Sequence, residues 1–158
     1  MYNKIMVPLD GSELAECVMP HVEAITTGCK ITQVVFVLVV DPIQLPASVP
    51  AMGEYGFSEK ERRELEEQRK QSAADYLKKI AEKTRLQGAA LNYEVLEGKV
   101  AETLAHWAEQ NGVDLIVIAS HGRSGVSRWV MGSVAERILR SACVPVLMIR
   151  APGCFPGI

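Results

Sequence analysis

The sequence predicts an α/β protein, a single domain built on a five-stranded parallel sheet with helices on both faces. Two observations lead to this prediction. Strand-like and helix-like segments alternate in the order β-α-β-α-β-α-β-α-β, and strands separated by helices run parallel with right-handed crossovers. Two of the strand-like segments, 34–40 and 115–119, are apolar throughout, which is typical of strands covered on both faces.

Composition and charge limit the classes of protein to which this chain can belong. Of its 158 residues, 48% are hydrophobic and 23% are charged, as in one globular domain, which we assign to residues 1–150, with a flexible tail at 151–158. The net charge of −2 provides no cationic field for nucleic acid or a membrane surface. The longest apolar run, 34–40, is too short to span a membrane. The chain has four cysteines without zinc-binding spacing and no secretory signal pattern, which predicts reduced thiols and a cytoplasmic location.

The first half of the chain predicts two strands, a helix and a long loop. An apolar run at 5–9 leads into Asp10, and Ser12 is the expected N-cap of a helix whose apolar positions continue to Ile25. Pro20 is expected to interrupt and bend this helix, because proline removes a backbone hydrogen bond. Residues 31–40 predict a central strand. Residues 41–57, with three prolines and two glycines, predict a loop that is functional or disordered.

A charged helix and an edge strand are predicted next. Residues 59–70 contain five acidic and five basic side chains, which indicates a solvated helix start with pairs such as Glu59/Arg63 and Glu66/Lys70. The helix is expected to turn inward from Ala73 and to end at Gly88. Alternating polar and apolar residues at 91–96 then predict an edge strand.

The last part of the chain predicts two helices and two strands. A helix at 100–110, closed by Asn111 and Gly112, leads to an apolar strand at 114–119 and a loop at 120–131. His106 is expected on the exposed side of the first of these helices. The second opens at 132–133, and the final strand is predicted at 144–149. The expected buried stripe of the second helix is Val134, Ile138, Leu139 and Ala142.

Two segments with proline, aspartate or several glycines lie at the ends of strands where parallel sheets bind ligands. Such sheets hold small molecules outside the carboxyl ends of their strands, at the point where the strand order reverses. Pro8, Leu9 and Asp10 follow the first strand, and the segment 119–133 (ASHGRSGVSRWVMGS) follows the fourth. We therefore expect the ligand site between these two segments.

The segment 119–133 has the properties of a phosphate site. Gly122, Gly125 and Gly132 allow the backbone to approach a ligand closely. The helix that opens at Ser133 offers free amides at the positive end of its dipole. A flexible connection whose glycines only turn the chain is the alternative. The patterns GxxxxGK[ST] and GxGxxG are both absent.

The sequence leaves the roles of two residues, Asp10 and His121, open. Asp10 caps the following turn or contacts a ligand; a phosphoacceptor role is rejected, because the other acidic residues and the lysine of a receiver domain are missing. His121 contacts a ligand or the neighbouring backbone, or is simply exposed. No catalytic residues and no metal site are predicted, since the three histidines are scattered and no Ser–His–Asp spacing occurs.

Two stretches resemble the universal stress protein family, IMVPLDGSELAE at 5–16 and SHGRSGVSRWVMGSVAERILRSACVPVLMIR at 120–150. Nucleotide-binding members carry Gly-x-x-Gly, nine residues and Gly-Ser or Gly-Thr. Gly122, the nine-residue spacer 123–131 and the pair Gly132–Ser133 match this motif, whereas Ala119 replaces its first glycine. Alanine is costly there only if the backbone requires a positive φ. Because position 119 ends a strand, we expect extended backbone.

The resemblance implies a Rossmann-like domain that binds ATP, with or without Mg²⁺. Asp10 and the backbone of Val39 would hold the ribose and adenine, with Pro8 and Leu9 lining the pocket. The residues implied at the glycine motif and around the phosphates are Ala119, His121, Gly122, Arg123, Gly132, Ser133 and Val134. The resemblance also implies a homodimer joined through the last strand and its flank, 144–150 (VPVLMIR), and an apolar edge strand with unpaired amides invites such pairing.

Three functions stay open from the sequence. The first is an ATP-binding, dimeric stress-signalling protein without committed chemistry. The second is a slow ATPase or phosphotransferase acting through the same pocket, although no general base stands near the glycine segment. The third is a dimeric interaction module without nucleotide, which the replacement at Ala119 keeps open. The sequence does not identify the stress or a protein partner.

Overall fold

Five parallel strands form one sheet in this computed structural model, which describes residues 2–42, 58–120 and 133–150. They lie in the order β3-β2-β1-β4-β5, so the chain extends the sheet first to one side of the first strand and then to the other. The predicted fold class is confirmed. The strands are β1 (Lys4–Pro8), β2 (Gln33–Val40), β3 (Ala90–Glu97), β4 (Leu115–Ala119) and β5 (Val146–Ile149).

Helices cover both faces of this sheet. Each strand presents alternate side chains to opposite faces, so a central strand such as β4 is buried along its whole length. One core contains Val22, Phe36 and Leu77, and the other contains Leu104 and Ile138. The first is formed with a short 3₁₀ helix (Ala15–Val18), α1 (Met19–Cys29) and α2 (Glu59–Lys83), and the second with α3 (Val100–Gln110) and α4 (Ser133–Ser141).

The first helical segment differs from the prediction at Pro20. This proline lies in the first turn of α1, where its missing N–H would have no intrahelical partner, so it lies at the start of the α-helix and does not interrupt it. The 3₁₀ helix that precedes α1 takes up the residues expected to form the first turns. Ser12 still acts as a cap, since its Oγ accepts a hydrogen bond from the Ala15 amide at 3.2 Å.

α2 ends earlier than predicted and makes different ion pairs. It ends at Lys83, where the backbone N–H of Thr84 caps the carbonyl of Ile80, and Gly88 instead takes a positive φ of 82° in the turn before β3. The predicted pairs Glu59/Arg63 and Glu66/Lys70 do not form, and Lys70 Nζ instead reaches Glu97 Oε1 on β3 at 2.8 Å. Within α2, the pairs are instead Lys60–Glu64 and Arg62–Glu66.

The last two elements are shorter or rotated relative to the prediction. Leu139 of α4 is 49% exposed, and Ala135 is buried in its place, one turn before Ile138 on the same face. β5 begins at Val146 because Pro145 has no N–H for a strand ladder. The edge position of β3, the end of α3 at Asn111 and the exposure of His106 agree with the sequence prediction.

Residues 43–57 of the predicted loop 41–57, most of the glycine segment and the tail at 151–158 lie outside the described residues. The division into a domain at 1–150 and a tail at 151–158 therefore stays a prediction. Of the helices that the structure describes, none combines the length and apolar composition of a membrane span.

Candidate functional site

A cleft of about 690 Å³ lies at the carboxyl ends of the strands, where the strand order reverses between β1 and β4. We call it the switch-point cleft. Sequence-predicted residues in its described lining are Pro8, Leu9, Asp10, Val39, Ala119 and Val134. The chain thus brings together residues separated by more than one hundred positions, as expected for this kind of sheet.

Pro8 explains why the sheet opens at this point. The amide of Leu9 donates to the Val37 carbonyl at 2.9 Å, towards β2. Because successive peptide groups of a strand point to opposite sides, the nitrogen of Pro8 faces β4, where it has no hydrogen to donate. The pairing of β1 with β4 accordingly stops at Met6 and Ile116, although both strands continue beyond that pair.

Val39 presents its main chain to the same opening. The Val37 carbonyl points to β1, and Val39 lies two residues further along β2, so its amide and carbonyl point to the same side. β1 ends at Pro8, opposite Val37, which leaves the peptide groups of Val39 above the end of β1. This geometry suits the recognition of a planar ligand by one donor and one acceptor.

Asp10 lies in the cleft wall and also caps the turn that follows β1. Its Oδ1 accepts hydrogen bonds from the Ser12 amide at 3.0 Å and from the Ser12 hydroxyl at 2.6 Å. The capping role left open by the sequence is therefore present. A ligand role for Asp10 stays a prediction.

Ala119 has the backbone geometry expected for it. It is the last residue of β4 and pairs with Ile149, and among the described non-glycine residues only Lys30 has a positive φ. The next residue, Ser120, continues this pairing through its amide, which donates to the Ile149 carbonyl at 2.7 Å. The replacement of glycine by Ala119 thus adds a methyl group without imposing a forbidden φ.

The far side of the cleft is formed at the start of α4. Val134 and Ala135, in the first turn of this helix, line the cleft, so the positive end of the helix dipole opens onto it. The side chain of Ser133 and the predicted residues His121, Gly122, Arg123 and Gly132 lie outside the described part of the structure. Their roles stay predictions.

α2 supplies a wall that the sequence prediction missed. Its cleft-facing positions recur at spacings of three and four residues, as one face of a helix does, and they include Leu65, Gln68, Arg69, Ser72 and Tyr76. The prediction of a merely solvated helix start at 59–70 is therefore incomplete. The spacing of these residues is a signal in the sequence, but it could not show that this face lies over the strand ends.

Polar contacts hold this wall in place. Arg69 Nη1 donates to the Asp41 carbonyl at 3.2 Å, just beyond β2, and the Tyr76 hydroxyl donates to Glu16 Oε1 at 3.1 Å in the 3₁₀ helix.

The described charged residues in the cleft lining are Asp10, Asp41 and Arg69. No group of three or more metal-ligating side chains occurs in residues 2–42, 58–120 and 133–150.

An open parallel sheet with a cleft of this size at its switch point is the architecture in which α/β proteins commonly bind small molecules. The chain belongs to the universal stress protein family, since a model of that family matches residues 1–150. The family resemblance stated from the two sequence stretches is thereby confirmed.

Known members of the family match nearly the whole chain. The universal stress protein MJ0531 of Methanocaldococcus jannaschii is 30% identical over 152 residues, which cover 96% of this chain and 84% of that protein. Among solved structures, that of the hypothetical protein MJ0577 aligns with a TM-score of 0.78 at 27% identity and covers 97% of this chain and 99% of the other.

Two more distant structures contain nucleotides. A universal stress protein in complex with cAMP has 16% identity and a TM-score of 0.59, and covers 95% of this chain and 98% of its own. A family protein of Arabidopsis thaliana with AMP bound has 16% identity and a TM-score of 0.61, with coverages of 96% and 93%. At such identity the likeness to this chain concerns the fold alone.

Proposed function

We propose that this universal stress protein binds ATP in the switch-point cleft and acts as a dimeric signalling module. The observation that carries the proposal is the opening of the sheet at Pro8. It puts the carboxylate of Asp10, the main chain of Val39 and the start of α4 around one cleft. Its volume of about 690 Å³ falls within the range of small-molecule sites.

Each part of the nucleotide has a suitable partner in this proposal. The amide and carbonyl of Val39 suit the edge of adenine, which offers an acceptor and a donor side by side. Asp10 accepts hydrogen bonds from the ribose, and Pro8 and Leu9 supply apolar contacts. The phosphates lie at the start of α4, with Gly122, Arg123, Gly132 and Ser133 around them. The two nucleotide-bound family structures support the choice of an adenine ligand.

A bound Mg²⁺ would depend on the phosphates. The cleft carboxylates in the described residues are Asp10 and Asp41, and Oδ1 of Asp10 already accepts two hydrogen bonds from Ser12. This donor set fits a cation held mainly by phosphate oxygens and water, as Mg²⁺ commonly is. Binding of ATP without the metal is therefore part of the proposal's test.

The test is thermal unfolding of the purified protein with increasing ATP, in the presence and absence of Mg²⁺. At about one hundred times the dissociation constant, ATP should raise Tm by about 5 to 10 °C, because it binds only the folded state. The variant Gly132→Asp, which places a negative charge in the motif, should lose the shift. Mass spectrometry of ligand released from freshly purified protein should identify an adenine nucleotide. Absence of a shift at millimolar ATP would contradict the proposal.

The dimer is proposed to form through β5, which is an edge of the described sheet and exposes 37% of Leu147. Light scattering coupled to size exclusion should give twice the chain mass for the native protein and a monomer for Leu147→Arg. Tyr93→Arg, on the opposite edge strand β3, is the matched control and should leave the dimer intact. A native monomer at micromolar concentration would refute this part. The cytoplasmic location predicted from the sequence stays a prediction.

A further inference from the structure

The first half of α2 reaches the switch-point cleft without entering a hydrophobic core. The buried residues of this 25-residue helix are Ala73, Leu77 and Ile80, all in its second half. Leu65, two turns before Ala73, nevertheless lines the cleft and leaves 38% of its surface exposed. An apolar side chain at the mouth of a cleft is well placed to contact an apolar part of a ligand.

Arg69 lies one helical turn after Leu65 on the same face of α2. Its Nη1 donates to the carbonyl of Asp41 at 3.2 Å, and Asp41 follows β2 two residues after Val39. The next residue of the helix, Lys70, is held to Glu97 at the end of β3 by the 2.8 Å ion pair. The contact with the Asp41 carbonyl places the guanidinium of Arg69 beside the end of β2.

The position of Arg69 separates it from the phosphate end of the cleft. The start of α4 follows β4, and β1 lies between β4 and β2 in the sheet. Arg69 is tied to the β2 side, where Val39 presents its main chain, so the part of a nucleotide nearest to it is the base. A planar guanidinium stacks on aromatic rings, which a lysine ammonium does less well.

We propose that Leu65 and Arg69 form a platform on α2 that packs against one face of the nucleotide base. This inference rests on the proposed nucleotide binding and adds a role for a helix that the motif-based site does not include. The platform acts on the base, so its contribution is the same for nucleotides with different numbers of phosphates. A contact to the phosphates would instead grow with the charge of the ligand.

The test is calorimetric titration of ATP and ADP into the native protein and four variants. Arg69→Gln should weaken both ligands by the same factor, about tenfold. Arg69→Lys should restore little of the lost affinity, and Leu65→Ala should weaken both ligands about fivefold. Arg63→Gln is the matched control, since it removes an exposed arginine from the same helix outside the cleft lining, and it should bind as the native protein does.

The outcomes separate this inference from the proposed function. If the native protein binds neither ligand, both are overturned. If the native protein binds and Arg69→Gln is unchanged, or loses more affinity for ATP than for ADP, the platform alone is overturned. Thermal unfolding without ligand should give similar Tm values for Arg69→Gln and Arg63→Gln, which excludes loss of the fold as the cause.

Discussion

Thr26 is a single residue whose chemistry does not match its surroundings. It lies in α1 with 1% of its surface exposed, and its Oγ1 has no hydrogen-bond partner among the described residues. Its backbone carbonyl, in contrast, accepts hydrogen bonds from the amides of Lys30 and Ile31 where the helix ends. A buried hydroxyl without a partner loses its hydrogen bonds to water on folding and gains none.

We therefore expect Thr26→Val to stabilise the protein. Valine has nearly the same shape and branching but no hydroxyl to desolvate, so the free energy of unfolding should rise by about 1 kcal/mol. The measurement is the unfolding midpoint in urea or on heating, and Tm should rise by about 2 to 4 °C. The neighbouring exposed position provides the control, Thr27→Val, with almost no effect. A lower midpoint for Thr26→Val would disprove this account of Thr26.

At the scale of an element, α2 shows how local sequence starts a helix and tertiary contacts give it a role. Its N-terminus carries a capping box, in which Ser58 Oγ accepts from the Glu61 amide at 3.2 Å and Glu61 Oε2 accepts from the Ser58 amide at 2.7 Å. Hydrogen bonds from the backbone and the side chain of Ser58 lower the pKa of the Glu61 carboxyl. The first turns, which carry the cleft residues Leu65 and Arg69, depend on this cap because none of their residues is fully buried.

Removal of the cap should loosen the start of α2. Ser58→Ala should cost about 1 kcal/mol of stability at pH 7, whereas Ser58→Thr keeps a hydroxyl and should cost much less. Amide hydrogen exchange should rise over residues 59–66 in the alanine variant. Folding lowers the pKa of the Glu61 carboxyl. The stabilisation that Glu61 adds to the cap is therefore present above the ordinary pKa of a glutamate and is lost as the pH falls through the pKa of the folded state. Unchanged exchange in that stretch would contradict the role of the cap.

The boundaries of elements were the least predictable feature of the fold. Pro20 was expected inside a helix and lies in its first turn, because a 3₁₀ helix takes the preceding residues. Leu139 was expected in the core and is exposed. It follows the buried Ile138, and adjacent residues of a helix point in different directions around its axis, so only one of the two faces the core. Periodicity identifies a helix but leaves its ends and its rotation open.

At the scale of the whole molecule, Asp114 joins the amino ends of β1 and β4, at the end of the strands opposite the cleft. Its Oδ2 accepts hydrogen bonds from the amides of Lys4 at 2.9 Å and Asn3 at 2.8 Å. The hydrogen bonds from the Lys4 and Asn3 backbone hold the pKa of the Asp114 carboxyl below its ordinary value. The contact links residues more than one hundred positions apart and fixes the start of β1 against β4.

This contact predicts a pH dependence of stability. A carboxyl whose pKa is lowered by folding stabilises the protein above its unfolded value of about 3.9, and this contribution is lost as the pH falls through the folded value. Asp114→Asn should therefore unfold more easily than the native protein at pH 7, by at most about 1 kcal/mol because water screens the half-exposed group.

The difference between Asp114→Asn and the native protein should shrink as the pH falls below about 4 and vanish once the pH lies below the folded-state pKa of Asp114. Urea unfolding at a series of pH values measures it. Asp75→Asn, which changes an exposed carboxyl whose contact is the Gln71 side chain, serves as the control and should show a small effect throughout. A difference for Asp114→Asn that is constant from pH 7 to pH 2 would contradict the assigned cause.

The sequence by itself determined the order of the elements, the parallel sheet and the two ends of the candidate site. These follow from local properties: apolar runs, helical spacing, and motif residues such as Pro8, Asp10 and the glycines after the fourth strand. It also determined the extended backbone at Ala119, since a residue that ends a buried strand continues the geometry of that strand.

Only the tertiary structure decided which elements meet. The contact of Arg69 with the Asp41 carbonyl, the ion pair of Lys70 with Glu97 and the place of Leu65 in the cleft depend on where α2 lies over the sheet. A charged helix pattern indicates a solvated face and does not say which other surface that face borders. The physical reason is that local periodicity orients side chains about a helix axis, whereas the position of the axis results from packing between distant parts of the chain.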